Sequence, residues 1–194
     1  MSQLDVTPHE EKGWGALDAL PGNPLIWVLI ISELLVFGAF FLGYIVARAL
    51  DPQMFNDSQL QLDRLLGGLN TMVLVTSGYL AAQAVRLRAE DKIGASRRWL
   101  AGAMGIGSVF LIIKAIEYGD KIEQGIGLET NTFFTLFFLM TGFHMLHVVL
   151  GLIILAIVGV HNSLENMETG TAFWHMVDLI WLIIFPVIYL ARGL

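Results

Sequence analysis

Polar residues along this chain fall into short clusters, and between the clusters lie five long stretches dominated by apolar side chains. They run from about Pro24 to Ala47, Leu65 to Val85, Trp99 to Tyr118, Thr132 to Val160 and Phe173 to Ala191. Each is close to the roughly 20 residues that carry a helix across a bilayer. None alternates apolar and polar residues with a period of two, so strands are excluded. Pro24 opens the first stretch, a position where proline fits a first helical turn. The pattern predicts an all-α integral membrane protein, a single bundle of five transmembrane helices.

The polar clusters set the connections and the orientation. The longest, about Arg48 to Arg64, contains DPQMFNDSQ and reads as a polar, turn-forming link. The connection between the second and third spans holds Arg86, Arg88, Lys92, Arg97 and Arg98, while the other loops are poor in Lys and Arg. Positive charge beside span ends favours the cytoplasmic side. Five spans then place the N-terminus in the cytoplasm and the C-terminus in the periplasm. The first 23 residues are polar and mildly acidic, unlike a basic, apolar secretory signal. They read as an extramembrane tail, with Trp14 suited to the headgroup level. Residues 24–194 form the transmembrane domain, and no internal repeat is visible.

Composition agrees with lipid as the solvent. Of 194 residues, 56% are hydrophobic and only 14% charged, and mean hydropathy is +0.69. A soluble domain carries about 25% charged residues. There is no cysteine, which removes disulfides, thiolate-bridged copper, iron–sulfur clusters and covalently attached c-type haem. The net charge is −6 with scattered basic residues, so no basic face is available for nucleic acid.

Candidate chemistry therefore lies in the few polar side chains at membrane depth, each of which costs roughly 2.5–3.5 kcal/mol on insertion scales. They are Glu33, Lys114, Glu117, His144, His147, His175 and Asp178. Glu33 sits mid-span with no basic neighbour one turn away. It reads either as a proton-exchanging or lipid-contacting carboxyl, or as an acid hydrogen-bonded to a neighbouring helix. Lys114 and Glu117 are three apart near the end of the third span, where Lys can reach toward the interface. A structural ion pair is the better reading. Thr141, His144, His147 and Gly151 form one polar or small stripe, which must face other helices because lipid satisfies no polar group. His175 and Asp178 are another pair three apart, and the carboxylate there is placed to orient the imidazole. Three His and two or three carboxylates are numerous enough for a metal or a b-type haem. An interhelical hydrogen-bond network explains them more simply. Ala101 with Gly105 and Ala103 with Gly107 permit close helix approach on the third span. Asn70, Thr71, Thr76, Ser77 and Gly78 do so on the second. Pro186 interrupts the fifth.

Taken together, SELLVFGAFF around Glu33, LLGGLNTMVLVTSG, Glu117-Tyr118, TGFHMLHVVLG and WHMVDLIW followed by Tyr189 closely resemble subunit III of the haem–copper oxidases over about Pro24 to Ala191. The resemblance implies a subunit of a bacterial inner-membrane respiratory complex with no catalytic residue and no cofactor of its own. Haem and copper, or haem and non-haem iron, belong to a catalytic partner subunit. It implies phospholipid as a further partner. It makes Glu33 the family's buried, carbodiimide-reactive glutamate, and Glu33, Glu117, His144, His147, His175 and Asp178 the candidates for proton or lipid contact.

Two departures qualify this. The seven-helix form has two further helices at its start, and they help to form its lipid cleft. Lys114 stands where the oxidase branch usually has Gln. With the PGNPLIWVLIISELLVFG and KAIEYG runs, this favours the accessory subunit of nitric oxide reductase over an oxygen-reducing oxidase. Two readings from other classes remain. One is an independent proton channel or transporter using Glu33 and the His/Asp cluster. The other is a membrane metalloenzyme using His144, His147, His175 and a carboxylate.

Overall fold

A computed structural model describes residues 23–191. The tail expected over the first 23 residues, Trp14 included, lies outside the described residues except for Asn23. The helices are α1 (Pro24–Leu50), α2 (Pro52–Leu60), α3 (Arg64–Ala89), α4 (Ile93–Glu123), α5 (Thr132–Val160) and α6 (Leu164–Phe185), and α6 continues into a π-helical turn at Pro186–Leu190. Five of them are long and apolar enough to cross a membrane, and no strand occurs among the described residues. The shortest span has 26 residues. At about 1.5 Å per residue that exceeds a hydrocarbon core of roughly 30 Å.

Local chemistry explains where the helices start. Side chains of Asn23, Asp51, Asp63, Asn131 and Ser163 each accept a backbone N–H in the first turn of the helix that follows, the usual role of these residue types as caps. Two of these caps correct the sequence-based expectation. The polar link from Arg48 to Arg64 contains a nine-residue helix, started by Asp51 and Pro52. The fifth span begins at Leu164, well before Phe173, because Ser163 caps it and the polar turn LENME continues the helix. Likewise α4 runs from Ile93 to Glu123, past both ends of its apolar stretch. At Pro186 the chain changes to bonding five residues back, with Ala191 N–H donating to Pro186 O at 2.9 Å.

The basic connection between α3 and α4 has structural work at the far end of α5. Arg97 donates to the carbonyls of Gly159 and Val160, and Arg88 donates to Asn162 O at 2.8 Å. Cations on the last carbonyls of a helix also meet the negative end of its dipole.

α6 is the central helix. Of its apolar window 56% is buried, against 11% for α1. α6 packs on α3, α5 and α1; α3 pairs most extensively with α4, and α1 leans on α5 and α6. One tight point is Trp174, a fully buried indole on α6 held between two glycines. A Cβ at Gly107 on α4 or at Gly151 on α5 would come within 2.7 Å of its ring. Only one of the two expected small-residue pairs on α4 faces this contact. Ala103 is buried and Gly107 meets Trp174, whereas Ala101 and Gly105 are exposed and nothing lies within 4 Å of a Cβ at Gly105.

This packing predicts an asymmetric result from one kind of substitution. Gly107→Ala and Gly151→Ala overpack the Trp174 slot and each cost about 1–3 kcal/mol. Gly105→Ala stays within about 1 kcal/mol of the native protein. Thermal melting of the detergent-solubilised protein reads both, and equal losses at all three positions would contradict the wedge.

Candidate functional site

Polar groups at membrane depth resolve into separate clusters. The first joins α1 to α5. Glu33 Oε2 lies 3.0 Å from His147 Nε2, and His147 Nδ1 lies 2.8 Å from Phe143 O. A carbonyl only accepts, so Nδ1 carries a proton and donates it. One further proton is then shared between Nε2 and the Glu33 carboxyl. Phe37 on α1 and Phe143 on α5 set ring edges against the imidazole at 5.5 and 4.6 Å between centroids. Glu33 thus meets a neighbouring helix, with its partner 114 residues away in the chain.

His144, one turn along α5, is fully buried. Its ring stacks on Trp181 at 5.2 Å and takes the edges of Phe37 and Phe110. Neither ring nitrogen has a hydrogen-bond partner among the described residues. Thr141, His144, His147 and Gly151 are all buried, so the whole stripe faces the bundle interior.

The third cluster is the most tightly bonded. Lys114 Nζ donates to Glu117 Oε2 at 2.8 Å and to the Tyr189 hydroxyl at 2.7 Å, and that hydroxyl donates to Glu117 Oε1 at 2.6 Å. Lys114 is fully buried, whereas the sequence suggested that it reaches toward the interface. The physical reason is a cage of four rings. Trp181, Phe137, Tyr189 and Tyr118 place their centroids 4.8, 5.1, 5.3 and 5.8 Å from the ammonium, close enough for cation–π attraction. Next to it, Thr141 gives its proton to Phe137 O at 2.6 Å. The Tyr118 hydroxyl therefore donates to Thr141 Oγ1, also at 2.6 Å. Glu117 also borders a polar cavity of about 430 Å³ with Asp63, Asp120, Lys121 and Gln124.

The fourth pair, His175 and Asp178, lies on α6. Nδ1 and Oδ2 are 3.6 Å apart, longer than a good hydrogen bond. Asp178 is buried against Gly78 of α3, so closely that a Cβ there would collide with the carboxylate. Its Oδ1 has no hydrogen-bond partner among the described residues. His175 lines an open, mostly apolar groove of about 560 Å³ between α1, α3 and α6, together with Trp27, Leu34, Val85, Glu168 and Thr171.

These clusters do not converge on one centre. Among the described residues no three His, Asp or Glu side chains gather at metal-binding distance. Three participants were not singled out from sequence as site residues. Tyr189 reaches Glu117 from the π turn, and Trp181 lies between the Lys114 and His144 clusters. Gln59, on the unexpected α2, donates to Tyr44 Oη and to the carbonyls of Val187 and Ile188. No periodicity in a short polar segment could have marked it.

Two predictions follow from these bonds. Lys114→Met leaves a buried carboxylate facing a tyrosine and lowers stability by about 3–5 kcal/mol. Lys114→Met combined with Glu117→Leu recovers most of that loss, because the stranded charge is gone; melting temperatures of the two variants decide it. At the other cluster, Glu33→Gln keeps a donor for His147 Nε2 and leaves the α1–α5 seam intact, whereas Glu33→Ala costs about 1–3 kcal/mol. Cysteine crosslinking of α1 to α5 measures the seam. If Gln opens it as far as Ala does, the proton itself matters and simple hydrogen bonding is not the explanation.

Comparison with known proteins places this geometry. Residues 23–192 match the family model for cytochrome c oxidase subunit III. Cytochrome c oxidase subunit 3 of Thermostichus vulcanus is 32% identical over 172 residues, covering 84% of each chain. That of Synechocystis sp. is 28% identical, covering 84% of this chain and 72% of its own. The probable cytochrome c oxidase subunit 3 of Nocardia farcinica is 28% identical, covering 87% and 86%.

Proposed function

Because the chain belongs to the cytochrome c oxidase subunit III family, we propose that it serves as the non-catalytic third subunit of a haem–copper respiratory complex in a bacterial inner membrane. The observation that carries this is the extent of the family match, which takes in all five membrane helices. The interior chemistry agrees. Glu33 bonds to His147 across α1 and α5, and Lys114 and Glu117 bond to each other and to Tyr189 beyond α6, which is what a supporting bundle needs. Electron transfer then belongs to the catalytic partner, with its haem and copper or non-haem iron.

Several narrower assignments belong to the same proposal. The N-terminal tail is cytoplasmic and the C-terminus periplasmic. The groove between α1, α3 and α6 has the apolar walls to take a phospholipid chain. Glu33, Glu117, His144, His147, His175 and Asp178 stabilise the bundle and tune lipid or proton contact. The partner reduces oxygen, as the names of the relatives suggest. Nitric oxide reduction is the second reading, favoured by Lys114 standing where the oxidase branch usually has Gln.

Affinity purification through a tag on this chain tests the assignment. A large membrane subunit with haem absorbance co-purifies, the separated chain shows no haem band, and the complex consumes oxygen with a reduced donor. Consumption of nitric oxide without oxygen selects the second reading. A chain that purifies without any haem-bearing partner overturns both.

A further inference from the structure

The far end of α1 carries a feature that the subunit role does not use. Arg48 lies in the last turn of α1, 24 residues after Pro24. At about 1.5 Å per residue that is roughly 36 Å along the helix axis. A hydrocarbon core is about 30 Å thick, so the guanidinium stands at headgroup level. It lines a cavity of about 340 Å³ whose other walls include Tyr44, Ile45, Pro52 and Val187, and among the described residues it is the one charged residue there.

Its charge is held but not neutralised. Nη2 donates to Asn56 Oδ1 at 3.1 Å and Nη1 to Gln59 Oε1 at 3.4 Å, both neutral amides of α2. No carboxylate of the described residues lies within ion-pair distance of it. Asp51, the acid nearest in sequence, spends Oδ1 on capping α2 through Met54 N–H. Asp57 is exposed on α2 and makes no ion pair. Arg86 and Arg88, both in the last turn of α3, have acidic partners, whereas Arg64, Arg97 and Arg98, like Arg48, have none among the described residues. The Tyr44 hydroxyl also hydrogen-bonds Arg48, but a guanidinium has five N–H donors in a planar fork, so donors remain after the two amides and this hydroxyl are served.

The surroundings are fixed in advance. Gln59 is fully buried, and it ties α2 to Tyr44 of α1 and to the carbonyls of Val187 and Ile188 in the π turn. Three elements thus hold one oriented cation above an apolar slot. A phosphate matches the guanidinium fork, and an acyl chain matches the slot. A soluble anion would use the first feature and leave the second without purpose.

We propose that the α1–α2 junction is a binding site for an anionic phospholipid, with its phosphate on Arg48 and an acyl chain against Ile45 and Val187. The site lies at the opposite end of α1 from the groove bordered by Trp27 and does not depend on that groove's occupant.

Native mass spectrometry of the purified complex provides the test, after delipidation and incubation with phosphatidylglycerol or phosphatidylcholine vesicles. The native complex retains phosphatidylglycerol preferentially. Arg48→Gln lowers that retention about fivefold while phosphatidylcholine is unchanged, and Arg48→Lys falls between because the charge stays and the fork is lost. Unchanged melting temperatures of the variants show that the fold persists. Equal retention by the native and Arg48→Gln complexes overturns the proposal. So does displacement of the lipid by millimolar inorganic phosphate, which marks a soluble-anion site. Loss of the large subunit from Arg48→Gln with lipid retention unchanged also overturns it, since Arg48 then belongs to a protein interface.

Discussion

Hydrocarbon offers no hydrogen bond, and that constraint organises everything inside this bundle. A polar side chain at membrane depth must find its partner on another helix or within its own turn. The structure satisfies this in a definite order of strength. Lys114, the costliest group, receives a carboxylate, a hydroxyl and four aromatic rings. Glu33 receives one imidazole. Asp178 has only a long approach to His175 and leaves one oxygen unpaired. Burial does not simply follow the number of partners: Lys114 is fully buried with several, His144 is fully buried with no hydrogen bond among the described residues, and Glu33 lies near the lipid-facing seam of α1 with one.

Much of this architecture was legible in the sequence, because five uninterrupted apolar runs leave few alternatives to five spanning helices. What escaped was local or distant. The helix α2 is nine residues long and polar on average, so it carries no hydrophobic signature, although Asp51 and Pro52 are ordinary start signals. Spacing of three brought Lys114 to Glu117 and His175 toward Asp178, since one helix fixes both members. The partners that complete the clusters lie far off in the chain. Tyr189 is 72 residues from Glu117, and His147 is 114 from Glu33. No single-helix pattern encodes such a meeting. The two small-residue pairs on α4 make the same point, since Ala101/Gly105 and Ala103/Gly107 look alike in sequence and only the second meets Trp174.

The glycines and the tryptophan explain why α6 can be central. An indole is large and rigid, and a helix presenting one to two neighbours at once would ordinarily be pushed away. Removing a Cβ from each neighbour lets α4 and α5 close around Trp174 while keeping contact with the rest of α6. In lipid, where apolar surface gains nothing by leaving the solvent, such close packing is the main source of helix association.

α1 is built on the opposite principle. Little of it is buried, and its main polar link to the bundle is Glu33 with His147. One end borders the apolar groove and the other ends in Arg48 beside a second cavity. A helix held so lightly draws its remaining stability from whatever lies against its outer face. Removing that neighbour therefore loosens α1 before the α3–α6 core, because a smaller part of α1 is packed inside the bundle. The seam at Glu33 is the point where α1 meets the buried polar network. His147 lies one turn from His144, His144 stacks on Trp181, and Trp181 forms one wall of the Lys114 cage. Packed side chains thus run without a gap from the lightly held helix to the most tightly bonded cluster in the bundle.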